Sequence, residues 1–97
     1  MITIVRHYDG FDVVGHAGFA PHGQDIVCAA VSALLQTFEA SVKDLTTDEI
    51  KCVISAGNAV MRYGNLSGTA QTLLDSFFIG CRMIAETYPD NVRVSEP

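Results

Sequence analysis

Ninety-seven residues with eleven Asp and Glu against six Lys and Arg carry a formal net charge of −5. No cluster of cations is available for a phosphate backbone, which argues against nucleic acid as a direct partner and favours encounter with a basic protein. The hydrophobic content of 48% supports one packed domain over residues 1–97, and no uninterrupted apolar run approaches the roughly 18 residues of a membrane span.

The chain opens directly into Met1-Ile2-Thr3-Ile4-Val5, without the basic stretch and cleavage site of a secretory leader, so a cytosolic location is expected. In that compartment Cys28, Cys52 and Cys81 should be reduced thiols. Their odd number, wide spacing and lack of a CxxC pair give neither a disulfide framework nor a zinc ribbon.

In chain order, Tyr8-Asp9-Gly10-Phe11 places Asp-Gly between two apolar runs, the residue pair of a type I′ hairpin turn. Pairing back from that turn sets His7 against Asp12 as a surface pair, and His16 against Thr3. A first helix is predicted from Val27, Val31, Leu34, Phe38 and Val42, spaced by three and four behind Asp25 as N-cap. A second hairpin follows, with Ala56-Gly57-Asn58-Ala59 read as a type II′ turn. It pairs Ile54 with Met61 and Cys52 with Tyr63 on one face. A second helix is predicted from Ala70, Leu73, Leu74, Phe77, Cys81, Ile84 and Tyr88, capped by Ser67 or Thr69 and closed by Pro89. Asn65-Leu66-Ser67 fits a glycosylation acceptor, but in a cytosolic chain it is a turn into a helix cap. A short strand is expected around 91–94. The result is an α+β fold, a two-layer α/β sandwich in ββαββα(β) order, with a largely antiparallel sheet and two helices on one face.

The second helix carries Phe77 and Phe78 side by side, and the two are expected to diverge, only one reaching the core. The other, with Val53 and Val60 on the uncovered sheet face, would form a patch suited to a second copy of the chain.

The chemistry concentrates between residues 15 and 32. His16 ends a strand, and Cys28 falls at the N3 position if Asp25 caps the helix. Backbone N–H groups are unpaired there and the positive end of the helix dipole is near, conditions that favour a thiolate. A thiol so placed, with an imidazole in reach, has the parts of an activated nucleophile, and the free N–H groups could stabilise an oxyanion. By residue type alone Cys28 also reads as a thiol packed at the border of an apolar stripe, which would make the chain a non-catalytic assembly or binding module. His16 can reach it only if the strand bulges or ends near Gly15. His22, between Pro21 and Gly23, competes for the role of base. A metal site from His16, His22 and Cys28 lacks a fourth ligand and matches no common zinc spacing.

The runs Gly15-His16-Ala17-Gly18 and Gly23-Gln24-Asp25-Ile26-Val27-Cys28-Ala29-Ala30-Val31-Ser32 closely resemble the ribosomal-processing cysteine protease family of bacteria. The resemblance is specific over residues 15–32 and looser over the rest of the chain. It implies a peptidase with a His–Cys dyad, here His16 and Cys28. The implied activity is removal of the N-terminal extension of the large-subunit ribosomal protein numbered twenty-seven. The resemblance further implies a homodimer that works without cofactor. Asp25 could orient His16, although its role as helix cap suffices, and Ser32, one turn beyond Cys28, could line the site. The loop between the two residues carries Gly18 and Gly23 and is expected to be mobile, closing over bound peptide.

Overall fold

The computed structural model describes residues 1–97, in the element order β1 (Ile2–His7), β2 (Gly10–Val14), α1 (Ile26–Leu45), β3 (Ile50–Ser55), β4 (Asn58–Tyr63), α2 (Gly68–Thr87) and β5 (Val92–Ser95). The five strands form one sheet in the order β3-β4-β2-β1-β5. All neighbours are antiparallel except β1 and β5, which run parallel. Both helices lie on one face, giving the α+β two-layer sandwich with its final strand.

Side-chain alternation sets the two faces. Ile2 and Ile4 of β1, Phe11 of β2, Ala59 and Met61 of β4, and Val92 of β5 are buried beneath the helices. α1 contributes Val27, Val31, Leu35, Phe38 and Val42, and α2 contributes Ala70, Leu74, Phe77, Phe78 and Cys81. α1 is long and apolar enough to cross a bilayer by length and composition. Here it lays one stripe on the sheet and carries Glu39, Lys43 and Asp44 elsewhere along its length. Ser67 caps α2 by accepting from Ala70 N–H, and its own N–H donates to Asp48, so the Asn-Leu-Ser run is a helix entry.

Phe77 and Phe78 do not diverge. Both are buried, because the core-facing arc of α2 spans the sheet and α1 together and accommodates side chains 100° apart. Phe11 packs against both, stacked on Phe77 at 4.7 Å and edge-on to Phe78 at 5.6 Å, with Phe38 of α1 at 5.7 Å. Arg6 covers the Phe78 ring at 4.7 Å. The outer-face patch therefore has no phenylalanine from α2.

Both hairpins turn one residue earlier than their sequence signals suggest. His7 pairs with Gly10, so Tyr8-Asp9 forms the first turn, with no positive φ at either residue. Gly10 is needed for closeness: a Cβ there would fall 1.9 Å from the Met61 carbonyl oxygen of β4. Ser55 pairs with Asn58, so Ala56-Gly57 forms the second turn, and Gly57 (φ 69) takes its second central position instead of the first. Each change slides the pairing by two, which preserves every residue's face. Cys52 accordingly faces Met61, and Val14, not His16, faces Thr3. The His7 and Asp12 side chains still meet, at 2.8 Å, across the diagonal of the outer face.

Candidate active site

β2 ends at Val14, and Gly15 (φ 97) turns the chain out of the sheet, with its N–H bonded to the Gly57 carbonyl at 2.8 Å. His16 is thereby released from strand alternation and lies exposed beside the β3–β4 turn. The next residue, Ala17, is buried, and its N–H points at the Cys28 sulfur at 3.3 Å. The end of β2 and the start of α1 are thus joined at the thiol.

Asp25 builds the helix start. Its Oδ1 accepts from Val27 and Cys28 N–H at 3.0 and 2.9 Å, and its Oδ2 accepts from Phe19 and Ala20 N–H at 3.0 and 3.4 Å. The Cys28 N–H bond is the largest influence holding this carboxyl below its usual range; partial burial opposes it, and the Phe19, Ala20 and Val27 bonds add to it. None of these bonds reaches His16. Asp25 is the cap and also a clasp on the loop. The expected free N–H groups at the helix start are engaged: those of Val27 and Cys28 by the Asp25 side chain, that of Ala29 by the Asp25 carbonyl at 3.1 Å. The backbone donor turned toward the sulfur is Ala17, from the opposite side.

His16, His22, Cys28 and Ser32 line two adjoining cavities that together form a groove past the thiol. On the sheet side, about 250 Å³ is bounded by Val13, Val31, Leu35, Ile54 and Ala59. On the loop side, about 540 Å³ is bounded by Gly18, Ala20, Gly23, Asp25 and Ala29. Ile54 is 61% exposed although it belongs to the inner face, and it lines the sheet-side cavity. Gly18 (φ 68) and Gly23 (φ 85) stand in the loop with nothing within 4 Å of a would-be Cβ. No three His, Cys, Asp or Glu side chains converge as a metal-ligand set.

The other two thiols are different. Burial, then the neighbouring Glu39 carboxylate, pushes Cys52 up to about 11, and burial pushes Cys81 up to about 12. Both belong to or border the core.

Residues 1–93 match the family model described as cysteine protease Prp. The chain belongs to this family. It is 31% identical to the ribosomal processing cysteine protease Prp of Bacillus subtilis, over 96% of this chain and 93% of that protein. Its fold superposes with a TM-score of 0.92 on the essential ribosomal processing protease Prp of S. aureus bound to a covalently linked product peptide. That match is 26% identical and covers 100% of both chains. The S. aureus protease with a substrate peptide matches at a TM-score of 0.83, 23% identity, and 99% and 97% coverage. The chain is therefore a cysteine protease of the ribosomal-processing family.

Ala17, Asn91 and the closeness of Gly57 to His16 are features around the candidate site that sequence reasoning missed. Asn91, at the entry to β5, donates from its side-chain amide to the Ala17 carbonyl at 2.9 Å. The only signal for it was its place beyond the aromatic-Pro end of α2. Gly57 was legible as a turn residue, yet a Cβ there would lie 2.7 Å from His16 Nε2.

Proposed function

We propose that the protease cuts the N-terminal extension from the large-subunit ribosomal protein numbered twenty-seven, with Cys28 as nucleophile and His16 as base and acid. The observation that carries the site assignment is the Ala17 N–H to Cys28 sulfur contact at 3.3 Å, which ties the residue after His16 to the thiol. His16 removes the Cys28 proton, and the sulfur attacks the scissile carbonyl carbon. The imidazolium then gives that proton to the leaving amine as the C–N bond breaks, leaving a thioester. Water, deprotonated by His16, attacks the thioester, and the acid leaves as the Cys28 thiol reforms.

His22 borders the same groove and is the second candidate base. His16 is favoured because Gly57 abuts its ring and the N–H of the next residue, Ala17, lies on the sulfur.

The substrate assignment draws on the naming of the B. subtilis and S. aureus relatives as ribosomal processing proteases. The net charge of −5 favours encounter with a basic substrate body. An extended peptide would lie along the groove, its side chains read by apolar walls such as Ile54 and Leu35. The 17–24 loop, clasped by Asp25 and free at Gly18 and Gly23, closes over it. The enzyme acts in the cytoplasm as a homodimer, pairing through the uncovered sheet face.

The test is mass spectrometry of the ribosomal protein, bearing its extension, before and after incubation with reduced enzyme. A single new N-terminus is expected, absent with Cys28→Ala. Intact substrate beside a reactive Cys28 would reject the substrate, and full cleavage by Cys28→Ala would reject the nucleophile.

A further inference from the structure

His16 and Ala17 are held between two glycines in left-handed conformations, Gly15 at φ 97 and Gly18 at φ 68. Such residues exchange conformations at little cost, so the dipeptide between them has no intrinsic stiffness. The Gly15 N–H bond to the Gly57 carbonyl anchors its first end. The second end is anchored from 74 residues away, where Asn91 Nδ2 donates to the Ala17 carbonyl at 2.9 Å. Asn91 is itself fixed: its N–H donates to the Tyr88 carbonyl at 3.0 Å, and its carbonyl accepts from Ile2 N–H at 2.8 Å. The Tyr88 ring of the same turn meets Phe19 edge-on at 5.4 Å, bracing the next part of the loop.

We propose that Asn91 is a positioning residue for the nucleophile. By holding the Ala17 carbonyl it keeps the Ala17 N–H on the Cys28 sulfur and His16 beside it. This role rests on the His16–Cys28 reading of the site. Without the amide, the Ala17 carbonyl loses its side-chain partner and the His16-Ala17 dipeptide can rotate about its glycine flanks. The N–H then leaves the sulfur, while the groove walls that bind peptide, built from β2, α1 and the β3–β4 hairpin, stay in place.

The experiment compares Asn91→Ala and Asn91→Asp with the unaltered enzyme, reading kcat and KM on a cleavable peptide and the alkylation rate of Cys28 at pH 7. Asp retains the shape of Asn and its suitability for a turn but donates nothing when ionised, so it stands in if Asn91→Ala does not fold. A hydrogen bond to an ionised group typically decides about a tenfold effect or more. Asn91→Asp is expected to lower kcat and Cys28 alkylation by about tenfold with KM within about twofold. Folded Asn91→Asp with unchanged kcat and alkylation would overturn the proposal, as would a rise in KM alone. Full turnover by Cys28→Ala would reject the site reading itself and this role with it. Loss of turnover in Cys28→Ala beside a normal Asn91→Asp would reject only the role of Asn91.

Discussion

Gly57 faces the His16 imidazole so closely that a Cβ at this position would sit 2.7 Å from Nε2, with further ring atoms at 3.4 Å. The turn residue of a hairpin distant in sequence is therefore a wall of the candidate site. Gly57→Ala should displace His16, and its φ of 69 adds backbone strain. Turnover is expected to fall by at least about tenfold while the core melts cooperatively, since no core side chain is touched. Steady-state kinetics alongside circular dichroism would check this, and a fully active Gly57→Ala would disprove the contact's importance.

Thiol selectivity tests the nucleophile. With Cys52 held at about 11 and Cys81 at about 12, neither should react with iodoacetamide at pH 7. Labelling is expected once per chain, at Cys28, and should be suppressed in His16→Ala. That variant should lose about a hundredfold or more in turnover, the usual scale of a general acid–base. Peptide mapping of the labelled chain identifies the site, and His22→Ala serves as the matched comparison.

The two carboxylate oxygens of Asp25 do different jobs, which one substitution can separate. Asp25→Asn keeps an oxygen for Val27 and Cys28 N–H but turns an amide against Phe19 and Ala20 N–H. Turnover should drop more than thermal stability does. Asp25→Ala should lower both. The Asp25 carboxyl titrates lower when folded than when unfolded, so its stabilisation is present above the unfolded value of about 3.9 and is lost as pH falls through the folded value. Melting temperature should thus fall with acid more steeply in the unaltered protein than in Asp25→Asn. Parallel acid curves would contradict that assignment.

Phe78→Ala removes a fully buried ring that touches Phe11 and Phe77, and should cost about 3–5 kcal/mol. Urea denaturation measures it directly. A loss near zero would place Phe78 outside the core.

Val53 and Val60 pair across β3 and β4 on the outer sheet face, where Val53 is 57% exposed. Val53→Lys should shift a homodimer toward the 10.4 kDa monomer in sedimentation at micromolar concentration. If the unaltered chain already sediments as a single 10.4 kDa species, the dimer is rejected.

Much of this architecture could be read from residue spacing, and the failures have physical reasons. Helix spacing and the caps at Asp25 and Ser67 were legible because they are local. The sheet faces survived a slip of two in both hairpins because side-chain direction has period two. The turns themselves were misplaced because glycine has several uses: Gly10 admits the Met61 carbonyl, a requirement set by a strand 51 residues later, not by the turn. The expected divergence of Phe77 and Phe78 failed because a stripe's width depends on how many partners the helix meets. At the site, Cys28, His16 and Asp25 stood within one short segment. Asn91 could not be found, because its meaning comes from a partner 74 residues away.

The parallel pairing of β5 with β1 brings Ile2 beside Val92. Such a contact closes nearly the whole chain into a loop, and contacts of that span carry a loop-closure cost that slows folding. The amide that holds Ala17 arrives with the same strand. During synthesis, His16 and Cys28 leave the ribosome long before Asn91 does, and the β1–β2 hairpin can form without it. The Ala17 carbonyl thus gains its side-chain partner only once the chain has reached the last strand of the sheet.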